Sequence, residues 1–117
     1  MPSFNIKPDD RTRLRHMLDA ALEIQQYVEP STREDLNRDR KLVHSLVRLL
    51  EIIREAASQV SDELRADTAE IPWFVIIGMR NRLIHAYFSI NVDVVWSTST
   101  EDIPPLVAEL KRLLGES

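Results

Sequence analysis

Residues 40–65, RKLVHSLVRLLEIIREAASQVSDELR, carry the pattern that decides the fold. Val43, Leu46, Val47, Leu50, Ile53, Ala57, Val60 and Leu64 recur at intervals of three and four, and Leu42, Leu49, Ile52 and Ala56 widen the stripe. Residues so spaced fall on one face of an α-helix, whereas a half-buried strand would alternate with period two. The stretch therefore reads as the long central helix of an all-α chain. A single rod from Ser31 to Arg65 would be far longer than usual. Asn37 and Asp39 are weak helix formers, so a break is expected near them.

Working outward, Pro8-Asp9-Asp10 reads as a helix start, and Leu14, Met17, Leu18, Ala21, Leu22, Gln25 and Val28 continue a first helix to Glu29-Pro30. Ser31-Thr32-Arg33-Glu34 has the form of a capping box, with Ser31 capping and Glu34 reaching back. Downstream, polar Asp67-Thr68-Ala69-Glu70 leads into Ile71-Pro72-Trp73, where proline suits a first helical turn. A helix is expected from there through Phe74, Ile77, Gly78, Asn81, Ile84 and His85 to Phe88. Ser89 to Trp96 is rich in β-branched residues, but a lone strand has no sheet to join, so an extended link with one helical turn is expected. Thr98, Ser99, Thr100 and Asp102 are cap formers ahead of Ile103, Leu106, Val107, Leu110, Leu113 and Leu114, a last amphipathic helix ending at Gly115. The expected architecture is one domain over 1–117, an up-down bundle of four to five helices.

Composition agrees. The 117 residues are 44% hydrophobic and 29% charged with only 2 glycines, enough apolar material for one core and too little glycine for a turn-dense β fold. Cysteine is absent, which removes disulfides, thiolate nucleophiles and cysteine zinc sites together. No signal peptide is recognisable at Met1-Pro2-Ser3-Phe4, and no segment approaches the roughly 20 apolar residues that span a bilayer, so the expectation is a soluble cytoplasmic protein without membrane contact. The net charge of −4 opposes broad attraction to a nucleic-acid backbone. Any nucleic-acid site must be a local basic patch, or be assembled where two copies meet.

Chemistry concentrates in Arg80-Asn81-Arg82-Leu83-Ile84-His85-Ala86-Tyr87. On one continuous helix Arg80 and Tyr87 lie almost in line, Asn81 is one residue round, and His85 is roughly 140° from Arg80. A two-fold copy would bring one protomer's Arg80 near its partner's His85, so a composite dimer site suits the spacing. Gly78 costs about 1 kcal/mol inside a helix, and close approach to a partner helix would account for it. Singly, His85 reads as a core or interface histidine, Arg80 as an ion-paired surface residue, and Tyr87 and Phe88 as packing aromatics.

The combination says more. Ile71-Pro72-Trp73, then Gly78 to Phe88, then Val95-Trp96 resembles the HepT-like branch of the HEPN superfamily, and the helix arrangement extends the resemblance over nearly the whole chain. The resemblance implies an endoribonuclease toxin of a toxin–antitoxin system. Its reaction is metal-independent RNA cleavage, in which the substrate's 2′-hydroxyl attacks the adjacent phosphate. It implies a homodimer, Arg80 and His85 as catalytic residues with Asn81 assisting, and a minimal nucleotidyltransferase as the neutralising antitoxin. It also implies that Tyr87 is the tyrosine which that partner modifies with adenylate. The chemistry suits the residues: a histidine near its ordinary pKa of about 6.5 exchanges protons at neutral pH, and a guanidinium holds charge on a phosphorane-like transition state. One departure is Arg54 before Glu55-Ala56, where family members commonly have glycine. Two other readings stand beside the enzyme: a non-catalytic HEPN-type binding partner of a minimal nucleotidyltransferase, and a helical dimer whose Arg80 and His85 only build the interface.

Arg40, His44 and Arg48, four apart with Lys41 alongside, form a basic stripe suited to an RNA backbone. Glu51 and Glu55 continue close to it, so an ordinary ion-paired face is the competing reading. His16, His44 and His85 lie far apart without ligand spacing, so neither a metal nor a cofactor is expected.

Overall fold

The computed structural model describes residues 6–84 and 89–116. Helix α1 spans Pro8–Val28, with Pro8 in its first turn and Asp9 and Asp10 near its positive end. Helix α2 spans Arg40–Ser58, and α1 packs along it. The expected break is present: Asp39 caps α2 by accepting a hydrogen bond from the Leu42 N–H at 3.0 Å.

The capping box falls one residue later than expected. Arg33–Asn37 forms a short 3₁₀ helix headed by Thr32, whose N–H donates to Asp35 Oδ2 at 2.8 Å. Ser31 instead donates its hydroxyl back to the Tyr27 carbonyl at 2.8 Å, closing the end of α1. Glu34 has no part in either.

The central helix is also shorter than its apolar stripe. It stops at Ser58, and the chain turns into α3, Asp62–Asp67, capped by Ser61. Val60 and Leu64 are nevertheless buried, so the stripe continues through the turn without change of face. The link that follows hides one of its polar residues: Thr68 is fully buried, donates to the Leu64 carbonyl at 2.7 Å and accepts from Trp73 Nε1 at 3.0 Å. These bonds fix the start of α4, Trp73–Ile77.

The expected helix from Pro72 to Phe88 is not continuous. Gly78 ends α4 with φ −88° and ψ 2°, α5 covers only Arg80–Leu83, and Ile84 is extended at φ −122° and ψ 123°. Ile84 pairs antiparallel with Ile90, and the Asn91 N–H donates to the Leu83 carbonyl at 2.8 Å. The link before the last helix is likewise more helical than expected. Asn91 caps α6, Val92–Ser97, and a π segment Thr98–Asp102 runs directly into α7, Ile103–Leu114. Pro104 and Pro105 lack N–H donors and crowd the turn before them, and a widened π turn absorbs that. Thr100 does not cap; its hydroxyl donates to the Trp96 carbonyl at 2.8 Å inside the continuous helix. Gly115 ends α7 in the left-handed region at φ 75°, as the sequence suggested.

The bundle is all-α, and its core is one apolar cluster. Leu14, Met17, Leu18 and Ile24 of α1 meet Leu46, Leu50 and Ile53 of α2 and Leu110 of α7, each at most 1% exposed. Helix α2 also packs against α4, α5 and α6, which places the basic stripe of α2 beside the signature segment.

Candidate functional site

Arg80 opens α5 with its side chain half exposed. Its Nη1 donates to Glu51 Oε2 on α2 at 2.8 Å, across 29 residues of sequence. Glu51 is held from its own helix as well: Arg54 donates through Nε to Oε1 at 2.6 Å and through Nη2 to Oε2 at 3.2 Å. Hydrogen bonding from Arg54 foremost, with Arg54's charge and then Arg80 adding to it, outweighs the cost of burial and holds the Glu51 carboxyl below the ordinary glutamate range. The same pairing raises Arg54.

A shallow cleft of about 230 Å³ is lined by His44, Val47, Arg48, Glu51, Arg80, Leu83 and Ile84. Two groups of residues that the sequence offers separately, the basic stripe and the signature arginine, thus share one recess. His44 and Arg48 are exposed at its wall, while Arg40 and Lys41 sit exposed nearer the start of α2. Asn81 is exposed on α5 next to Arg80. A second recess of about 180 Å³ adjoins, sharing Arg48 and Glu51 and adding Arg13 and His16 from α1. Sequence reading missed these two as groove residues. The signal available was their phase on α1, one residue before the core positions Leu14 and Met17, which places them at the seam with a packed neighbour.

His85 and Tyr87 lie outside the described residues. Ile84, the residue before His85, lines the cleft with Arg80. Because Ile84 leaves helical geometry, the angles calculated along one unbroken helix, 140° between Arg80 and His85 and near-alignment of Arg80 with Tyr87, do not apply. Gly78 also has a local explanation. It is exposed, and a Cβ there would meet the Phe74 carbonyl oxygen at 3.2 Å, so the turn itself favours glycine. Among the described residues no three His, Cys, Asp or Glu side chains gather as a metal site.

The cleft therefore presents cationic groups on Arg80 and Arg48, a titratable imidazole on His44, and one carboxylate that is already engaged. Such a surface suits a phosphate backbone. The family model for ribonuclease HepT-like proteins matches residues 17–113. This chain belongs to the HepT-like ribonuclease family. A protein of Caldanaerobacter subterraneus subsp. tengcongensis, named as an RNase candidate, is 36% identical over 89% of this chain and 93% of its own length. A protein of Thermococcus cleftensis, named a probable ribonuclease HepT, is 34% identical over 92% of this chain and 98% of its own. A Methanocaldococcus jannaschii protein, also named as an RNase candidate, is 28% identical over 90% and 96%. No solved structure matches the chain. Membership makes this HepT-like chain an RNase of HEPN type, and none of its described helices is long and apolar enough to cross a membrane.

Proposed function

We propose that this HepT-like ribonuclease is the endoribonuclease toxin of a toxin–antitoxin pair, cleaving RNA without a metal at a site composed across a homodimer. The observation that carries the reading is the cleft in which Arg80 stands beside His44 and Arg48 with the residue preceding His85 at its edge. In this mechanism the scissile phosphate sits against Arg80, and the RNA's own 2′-oxygen attacks phosphorus. The O2′–P bond forms and the P–O5′ bond breaks, leaving a 2′,3′-cyclic phosphate and a 5′-hydroxyl. Arg80 offsets the charge that accumulates on the phosphoryl oxygens, and the His85 imidazole takes or returns the proton in transit. Asn81 assists by hydrogen bonding to the phosphate. Arg40, Lys41, His44 and Arg48 lead the flanking backbone into the cleft.

Control falls to a nucleotidyltransferase antitoxin in the cytoplasm. Adenylate on the Tyr87 hydroxyl adds a phosphate anion and bulk close to the catalytic segment, which would exclude RNA from the cleft. Co-expression with the partner followed by peptide mass analysis tests this: adenylate on another residue, or on none, would remove Tyr87 from the proposal.

The decisive experiment incubates purified protein with total RNA under chelator, beside Arg80→Ala and His85→Ala. Cleavage by the parent alone, with all three proteins equally helical, supports the toxin. Equal behaviour of all three would instead support a non-catalytic binding partner of the nucleotidyltransferase.

A further inference from the structure

We infer that Glu51 is a positioning residue that holds the Arg80 guanidinium with its outer edge turned to the RNA phosphate. The inference rests on the proposed role of Arg80 as the phosphate-binding group. Its basis is the way the three charges meet. Arg54 grips Glu51 side-on, through Nε and Nη2, from one turn along the same helix. Glu51 then meets Arg80 end-on, through Nη1 only, at 2.8 Å. Among the described residues the Nε and Nη2 groups of Arg80 have no partner. That edge is the one whose two parallel N–H bonds match two phosphoryl oxygens.

A carboxylate beside a catalytic arginine can act in either of two ways, and geometry separates them. Had Glu51 taken the Nε–Nη2 fork, phosphate would have to displace it. The end-on contact leaves the fork free while fixing the rotation of a long, half-exposed side chain that sits on a helix of four residues. Charge agrees with this. Arg54 also pairs with Glu55 at 3.6 Å, so two guanidiniums balance two carboxylates, and Arg48 beside them gives the cleft the positive charge that attracts an anion. Arg54 locks Glu51, and Glu51 locks Arg80.

The test uses the full chain, labelled with ¹⁵N, as parent, Glu51→Gln and Arg54→Ala. The Arg80 Nε–H signal, assigned by its loss in Arg80→Ala, reports restraint of the guanidinium, and a 2′-deoxy oligonucleotide serves as an uncleavable phosphate probe. A sharp parent signal that shifts with the oligonucleotide is expected, and Glu51→Gln should broaden it. With cleavable RNA, kcat of Glu51→Gln should fall about tenfold or more while KM stays within about twofold and the pH profile keeps its shape. A purely structural role would not produce that split. Arg54→Ala, which retains the Glu51–Arg80 contact, should lose less, and it carries the test should Glu51→Gln fold poorly. An unchanged Arg80 signal and kcat in Glu51→Gln would overturn the inference, and so would a rise in kcat, which would make Glu51 a competitor of phosphate. If the parent cleaves no RNA, the ribonuclease mechanism falls separately. The oligonucleotide titration then decides about Glu51, and an Arg80 signal that does not respond in the parent overturns the inference.

Discussion

Asp10, in the first turn of α1, accepts two hydrogen bonds from Ser61, one from its N–H at 2.9 Å and one from its hydroxyl at 2.6 Å, across 51 residues of sequence. Asp10 is 6% exposed, and Ser61 is at the same time the residue that caps α3. One carboxylate thus ties the start of the bundle to the turn where α2 ends. Hydrogen bonds to an ionised group contribute more than neutral ones, and removing the acceptor leaves the Ser61 N–H and hydroxyl unpaired. Asp10→Ala should cost about 2–3 kcal/mol and lower Tm by roughly 10 °C. Asp10→Asn, which keeps one acceptor, should cost less. Equal melting of all three proteins would mean that water replaces the contact.

Glu51 makes acid stability a second measurable quantity. Its carboxyl is held below the ordinary range chiefly by the hydrogen bonds from Arg54, so it is depressed in the folded chain relative to the unfolded one. A depressed carboxylate contributes stability that is complete above the unfolded value of about 4.3 and is lost as pH falls through the folded value. The parent should therefore exceed Glu51→Gln in Tm from neutral pH down to about pH 5. The gap should narrow as pH falls below the unfolded value and toward the lower folded one. A gap that is constant from pH 7 to pH 3 would show that charge is not what Glu51 contributes.

How far the sequence reveals this molecule depends on what each signal measures. Apolar spacing located the core because burial of Leu46, Leu50 and Ile53 is what the spacing records. Local chemistry marked the start at Pro8, the break at Asp39 and the end at Gly115, since each depends only on neighbouring backbone. Breaks that leave the buried face in phase were invisible. Val60 and Leu64 stay buried beyond the end of α2, and Met79 and Leu83 stay buried beyond Gly78, so periodicity ran on where the helix did not. The π segment escaped because its threonine and serine read as caps while the backbone simply widened ahead of Pro104. At the candidate site the sequence singled out Arg80, which lines the cleft, whereas Glu51 was read only as the end of a basic stripe. Its bond to Arg80 joins two elements that only packing of α5 on α2 brings together.

The basic stripe gives a third prediction, on salt dependence. Arg48 lines the cleft with Arg80, whereas Arg40 lies eight residues earlier, about 12 Å along the axis of α2. Each phosphate neutralised on a single strand contributes about 0.7 to the slope of log affinity against log salt. Arg48→Ala should reduce that slope by about 0.7 for a short uncleavable RNA. Arg40→Ala should reduce it less, and only for an oligonucleotide long enough to reach past the cleft. Filter binding across a salt series measures both. If neither substitution changes the slope, the stripe is a solvated face and RNA enters elsewhere.

The last prediction concerns the proposed dimer and turns on Phe74, which is 88% exposed on α4 beside Val75 at 53%. A single exposed aromatic needs no explanation, but this one stands on a wider apolar surface. Recesses of about 260 Å³ and 640 Å³ flank α4, and Ile71, Pro72 and Val75 line both. Phe74 and Val75 are exposed on the signature segment, so this is the face expected to meet a second copy. In a two-fold interface Phe74 would be buried once from each protomer, at about 1.5–3 kcal/mol per side chain, and a glutamate there would set like charges near the axis. Phe74→Glu should therefore sediment as a monomer at micromolar concentration where the parent sediments as a dimer, with the same helical circular dichroism. The cleavage assay then separates two ideas that sedimentation alone leaves joined. Loss of cleavage in a folded monomer supports a site composed across protomers. A monomer that cleaves at the parent's rate per chain would mean that Arg80 and His85 of one chain suffice, and a Phe74→Glu protein that remains dimeric would move the interface to another face.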